Sequence, residues 1–214
     1  MKNVFLFVAA AILSFNVAEA QEFRMGAKAG VNFASIGGEY AENFDPRVSF
    51  HLGGLVEIPL TGKFAIQPEL LYSSQGMKEG YYTFVFNSNI KSNLKLDYIN
   101  IPIMGKYYII ENLSIEVGPQ VGFLISAKNK YSYHQESGTN DVKNSFKTLD
   151  LGIGLGASYR LNNGVFFSLR FNKGLSNVND SNRYNINPND YPANTDLNFK
   201  NRNNVFQISG GYSF

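Results

Sequence analysis

Eight times between Phe23 and Phe214 apolar residues fall on every second position while Gly, Ser, Asn, Gln or a charge fills the positions between. A two-residue period is that of a β-strand with two unlike faces, and no helix can satisfy it. In the first such run Phe23, Met25, Ala27, Ala29, Val31 and Phe33 stand against Arg24, Gly26, Lys28, Gly30 and Asn32. The second sets Val48, Phe50, Leu52, Val56, Ile58 and Leu60 against Arg47, Ser49, His51, Gly53 and Glu57, and the third sets Phe64, Ile66, Leu70 and Tyr72 against Gln67, Glu69, Ser73 and Gln75. A fourth, from about Lys95 to Ile109, is less regular, and Pro68 and Pro102 argue for interruptions in the ladders there. Three clean runs follow at 113–126, 149–160 and 165–172, and the last ends in Phe206, Ile208, Tyr212 and Phe214.

Three connections are tight turns, Thr61-Gly62-Lys63, Ile110-Glu111-Asn112 and Asn162-Asn163-Gly164. Between them lie long polar stretches near 37–45, 77–93, 129–144 and 178–203. Short turns on one rim, long loops on the other and an even strand count predict an all-β fold, an antiparallel up-and-down transmembrane β-barrel of about eight strands. A sheet edge left unpaired in hydrocarbon is too costly, so the sheet must close.

The polarity of the two faces decides between a membrane barrel and a soluble lipocalin-like carrier of a small apolar ligand, which would also alternate. Charged residues make up 17% of the chain and aromatic residues 14%, and the polar face holds mostly small uncharged residues. A polar face in bulk water would be rich in Lys and Glu, whereas small polar residues suit a cramped lumen. The expectation is therefore an apolar face turned to outer-membrane lipid, with aromatic girdles.

The first twenty residues carry a separate message. Met1-Lys2 is a positive n-region, Val4 to Phe15 an apolar h-region and Ala18-Glu19-Ala20 an A-x-A cleavage site. Residues 1–20 are expected to be a cleaved signal peptide, leaving 21–214 as one barrel domain in the outer membrane of a Gram-negative cell. Asn16 and Glu19 break the run before the roughly 18 apolar residues that a membrane-spanning helix needs. The chain has no cysteine, which excludes a disulfide framework and a lipoprotein anchor. Its net charge of +2 is small and scattered, so no nucleic-acid partner is expected.

The register points Arg24, Lys28, Arg47, Lys106, Arg160 and Arg170 inward with Glu57, Glu69, Glu116 and Asp150. Buried charges must be paired to be tolerable. The expected role of these ten is a lumenal network that plugs and stiffens the barrel instead of an open pore. His51 and His134 are the only histidines, and no motif for a nucleophile, a metal or a cofactor occurs, so neither enzyme activity nor a cofactor is expected. Tyr81, Tyr82, Phe84, Val85 and Phe86 form an aromatic run in the second loop, read as an extension of the hairpin above the membrane or as a binding edge.

In order and spacing, Met25-Gly26-Ala27-Lys28-Ala29-Gly30-Val31-Asn32, Gln67-Pro68-Glu69-Leu70-Leu71-Tyr72-Ser73, Tyr98-Ile99-Asn100-Ile101-Pro102-Ile103, Gly118-Pro119-Gln120, Arg170-Phe171-Asn172-Lys173-Gly174-Leu175 and Gly211-Tyr212-Ser213-Phe214 resemble the PorT-like outer-membrane β-barrel proteins. One departure is Asn100, where that family commonly has Glu, which puts an inward ion pair with Lys106 in doubt. The alternating Phe206, Ile208, Tyr212 and Phe214 look like the C-terminal signal read by the barrel assembly machinery. The resemblance implies fold and location more than activity. The expected role is structural, or binding through the surface loops to a partner the sequence does not name. The alternatives are an accessory component of a secretion or envelope complex and, third, a lipid-modifying enzyme.

Overall fold

The computed structural model describes residues 23–38, 45–83, 88–133, 136–180 and 200–214, with side chains described in these except at 79–83, 88–91, 133 and 136. Residues 1–20, expected to be a signal peptide, as well as His134 and Phe84, Val85 and Phe86 lie outside them.

Among the described residues nine strands form: β1 (Arg24–Gly38), β2 (Asp45–Pro59), β3 (Phe64–Thr83), β4 (Ser88–Ile110), β5 (Leu113–Tyr133), β6 (Glu136–Asp141), β7 (Leu149–Arg160), β8 (Val165–Gly174) and β9 (Asn201–Ser213). Eight of them close a ring, β1 to β5 and then β7 to β9, with every neighbour antiparallel and β9 returning to β1. The short β6 stands outside the ring and pairs, among the described residues, with the far end of β5. This is the eight-stranded barrel that the alternation predicts.

The faces also fall as the period requires. Leu52, Leu70, Leu155, Phe167 and Leu169 are exposed on the outside, while Lys28, Asn32, His51, Glu69, Glu116, Arg170 and Gln207 are buried inside. That polarity is opposite to a lipocalin's, whose apolar face lines its cavity. Outward aromatic pairs lie near both rims, Phe64 with Tyr107 at 5.0 Å and Tyr212 with Phe214 at 5.3 Å at the turn end, Phe50 with Tyr72 at 5.5 Å toward the loop end.

The turn end is built by local chemistry. Gly164 takes φ +87°, which a side chain would strain, while Gly164 N donates to Leu161 O and Val165 N donates to Asn163 Oδ1. Thr61 closes the first turn, its backbone and hydroxyl oxygens both accepting from Phe64 N.

Three features go beyond the sequence reading. First, β3, β4 and β5 run to 20, 23 and 21 residues, so the stretches near 77–93 and 129–144 are largely strand and not loop. Secondly, the two prolines open gaps in the ladders without shifting their register. Pairing between β2 and β3 skips from Leu55–Glu69 to Ile58–Ile66, and between β3 and β4 from Pro68–Ile103 to Leu71–Asn100. Thirdly, an apolar cluster of Ile36, Leu94, Leu96, Tyr98, Leu124, Phe146 and Val178 fills the lumen toward the loop end. Phe146 follows a 3-10 turn at Lys143–Ser145 and bridges Asn179, so the connections after β6 and after β8 fold over that mouth.

Candidate functional site

The lumen is layered from the turn end upward. At the bottom Glu57 collects four donors. Arg24 and Arg160 reach its Oε1 at 3.1 and 3.2 Å, the Tyr108 hydroxyl donates to the same oxygen at 2.6 Å, and Lys106 Nζ donates to Oε2 at 2.7 Å. Lys106 therefore has a carboxylate partner although position 100 is Asn, because the register of β2, β3 and β4 brings Glu57 to it.

One layer higher, Glu69 lies 2.7 Å from Lys28 Nζ and accepts both terminal nitrogens of Arg170, at 2.9 and 2.7 Å. The Arg170 Nε donates to Glu116 at 2.7 Å. Two cations and two anions thus form a buried quartet of zero formal net charge contributed by β1, β3, β5 and β8, with a forked guanidinium matching one carboxylate in two bonds. The void between this quartet and the Glu57 cluster is about 20 Å³. That is room for about one water molecule.

Eight of the ten inward charges therefore gather in two clusters. The other two do not join them. Arg47 donates to Ser74 Oγ and to the Gln75 carbonyl oxygen, both at 3.1 Å. Asp150 accepts from the Ser176 hydroxyl at 2.7 Å and from Asn203 Nδ2 at 2.8 Å. β2 and β7 are four strands apart in an eight-membered ring, so these two side chains start from opposite walls, and among the described residues neither has an ion-pair partner.

Between the quartet and the apolar cluster runs a chain of uncharged polar groups that the sequence did not reveal. His51 on β2 and Ser209 on β9 both stand opposite Gly30 of β1, one on each side. A Cβ at Gly30 would meet the Ile208 carbonyl oxygen and lie 2.7 Å from His51 Cε1, so the glycine makes room for the ring. His51 Nε2 is 2.8 Å from Ser209 Oγ and its Nδ1 is 2.7 Å from Asn32 Oδ1.

The protonation pattern follows from the partners. Asn32 Nδ2 donates to the Ser74 carbonyl oxygen at 2.8 Å and the Phe50 carbonyl oxygen at 3.1 Å, and Gln207 Nε2 donates to Asn32 Oδ1 at 2.9 Å. Asn32 Oδ1 therefore accepts, His51 Nδ1 carries the hydrogen, and the free Nε2 accepts from the Ser209 hydroxyl. Ser, His and Asn in this order have the contacts of a nucleophile with its base and orienter. Ser209 is only 4% exposed and His51 not at all, which leaves an acyl group no place at Oγ. Asn172 Nδ2 extends the chain by donating to Gln207 Oε1 at 2.8 Å, so it links β8, β9, β1, β2 and β3.

Phe206, Ile208, Tyr212 and Phe214 all face outward, Phe214 being the most exposed at 77%. Phe214 N donates to Met25 O at 2.8 Å, which carries the backbone pairing of the two ends through to the last residue.

A family model described as outer membrane protein beta-barrel domain matches residues 19–180. No curated protein matches the sequence. Among solved structures the chain is similar to Ail, the attachment invasion locus protein of Yersinia pestis, at 14% identity and a TM-score of 0.48, covering 90% of this chain and 99% of that one. It is also similar to Neisserial surface protein A, at 11% identity and 0.47, with 90% and 97% covered, and to OprG from Pseudomonas aeruginosa, at 13% and 0.34, with 91% and 96% covered.

Proposed function

Because the chain belongs to the outer membrane protein β-barrel domain family and resides in the outer membrane, we propose that it is a plugged barrel that acts at the cell surface through the sheet it raises there, binding a partner or stiffening the envelope. In this family's architecture the tight turns, with the start of β1 and the end of β9, lie in the periplasm and the long loops outside. The observation that carries the reading is the length of β3, β4 and β5. At about 3.3 Å per residue, 20 residues reach roughly 66 Å, about twice the hydrocarbon thickness of about 30 Å, so even a tilted strand emerges well above the bilayer.

The emergent part is a four-stranded sheet, since β6 adds to β5 there. Backbone pairing continues through Tyr81–Ile90 to Thr83–Ser88, which extends the hairpin upward. Against this sheet lies an open hollow of about 720 Å³ lined by Asp45, Lys78, Asn93, Lys130, Tyr131 and Thr139, which the register sets side by side across β2 to β6.

Replacing residues 78–93 by an Asn-Gly turn should preserve the barrel and remove the β3 and β4 strands of this sheet. Wild-type barrel in lipid nanodiscs is then applied to an array of immobilised matrix proteins and polysaccharides. Saturable binding that the shortened variant loses is the result expected. Binding no greater than that of empty discs would leave the structural role alone.

The narrower PorT-like kinship is supported by the six motifs in their order along the mature chain, and secretion is not carried over from it. The buried Ser209–His51–Asn32 chain is read as a structural brace, and this proposal includes no catalysis, metal or cofactor. The outward row Phe206, Ile208, Tyr212 and Phe214 is read as the segment that the barrel assembly machinery recognises. Deleting Phe214 should then lower the yield of heat-shiftable barrel in the outer membrane several-fold. An unchanged yield would remove that role from the row.

A further inference from the structure

The periplasmic mouth has more cationic donors than its own carboxylates accept. It opens into a cavity of about 800 Å³ whose lining includes Arg24, Glu57, Lys63, Tyr108, Glu111 and Arg160. Glu57 is only 3% exposed, and its two oxygens already take Arg24, Arg160, Tyr108 and Lys106. Three cations therefore share one buried anion.

A guanidinium has five N–H donors. Among the described residues Arg24 and Arg160 each commit a single bond, both to Glu57 Oε1. Their side chains are 36% and 21% exposed and both line the cavity, so donors beyond those on Glu57 are open to it, and Arg160 also borders the small void above. The Tyr108 ring holds the Arg160 guanidinium at 5.7 Å and the Lys106 ammonium at 5.4 Å, which fixes the cluster from the inner side. Two half-committed guanidinium groups anchored on one carboxylate form a ready fork for a second oxyanion.

We propose that this mouth is a receptor for an oxyanion presented from the periplasm, a carboxylate or a phosphate, held between Arg24 and Arg160. This goes beyond the surface role, because it lies at the opposite end of the barrel and uses none of the same residues.

The test uses the intact refolded barrel in nanodiscs, labelled with nitrogen-15. Three probes are titrated, acetyl-Ala-Ala with a free carboxylate, its C-terminal amide, and inorganic phosphate. Saturable shifts of the Arg24 and Arg160 Nε–H signals and of the Thr61-Gly62-Lys63 amides are expected with the free acid or with phosphate and not with the amide. The anion that binds more tightly distinguishes a peptide terminus from a phosphate group as the source.

Arg24→Gln or Arg160→Gln should weaken binding about tenfold, the loss expected for one charge-assisted fork, while Arg47→Gln at the other end should not. Heat-dependent gel migration confirms that each variant is folded. No saturable shift with either anion, shifts that map away from the mouth on the wild-type protein, or equal binding by the folded Arg24→Gln/Arg160→Gln variant would overturn the proposal. The wild-type mapping decides the matter even where a variant does not fold.

Discussion

Replacing Glu69 by Ala should lower the unfolding free energy of the barrel by about 3–5 kcal/mol, the usual loss when one partner of a buried ion pair is removed. Glu69 accepts from Arg170 twice and lies beside Lys28, and Gln67 Nε2 donates to it as well, at 2.6 Å. All of these side chains are buried. Without Glu69 the quartet holds two cations and only Glu116, so a net positive charge is left among buried side chains. Removing Lys28 at the same time restores neutrality. Lys28→Ala/Glu69→Ala should therefore be less destabilised than the sum of the single changes, with a coupling of about 0.5–3 kcal/mol. Lys95 supplies the contrast, since it is 35% exposed where it meets Asp97 and its loss should cost less than that of Glu69. Urea unfolding from lipid vesicles measures the wild type, the Glu69→Ala, Lys28→Ala and Lys95→Ala variants and the double variant. The chain has no tryptophan, so circular dichroism and gel migration replace indole fluorescence. A Glu69→Ala loss no larger than that of Lys95→Ala would mean that the quartet is hydrated and adds no rigidity.

Leu155→Arg should cost about 2–4 kcal/mol, whereas Tyr159→Arg, near the end of the same strand, should cost about 0–1 kcal/mol. Leu155 is 63% exposed and faces outward at the middle of β7, beside Val117 of β5 and Phe171 of β8. In water an exposed Leu tolerates Arg within about 0.5 kcal/mol, since nothing around it must be desolvated. In a bilayer the same position is surrounded by acyl chains and the cation must reach for the interface. Position 159 is already close to that interface. The measurement is reversible unfolding from vesicles for both variants. Equal small losses at the two positions would show that the outer face of β7 does not meet hydrocarbon.

What could be read from the sequence followed from where each residue is wet. Inside the bilayer every strand has one lipid face and one lumenal face, so Leu149, Leu151, Ile153 and Leu155 alternate cleanly with Asp150, Gly152 and Gly154, and their sides are assigned without any structure. Above the bilayer both faces meet water. Lys78, Ser92, Asn93, Asn129 and Lys130 then carry no period, which is why the upper halves of β3, β4 and β5 read as loops. The ion clusters were half legible. Period two put the charges inside, but the choice of partner depends on stagger between strands, and that stagger sends Lys106 to Glu57 and leaves Arg47 and Asp150 apart.

His51 and Ser209 were illegible as a pair because 158 residues separate them and only closure of β9 on β1 brings them to the same glycine. The apolar cluster hid for a different reason. Val142, Phe146 and Val178 are single apolar residues in polar segments, with no repeat to mark them as packed. An isolated large apolar residue in a long loop was the available signal.

That cluster makes the two ends of the lumen unequal. Tyr98, Leu96, Leu124, Phe146 and Val178 close the outer end, and the inner end opens to the periplasm through Arg24 and Arg160. Among the described residues the lumen therefore has the form of a cul-de-sac, lined by charge at its open end and by apolar side chains at its blind one. An oxyanion held at that mouth, as proposed above, would arrive from the side of the tight turns and leave by the same side.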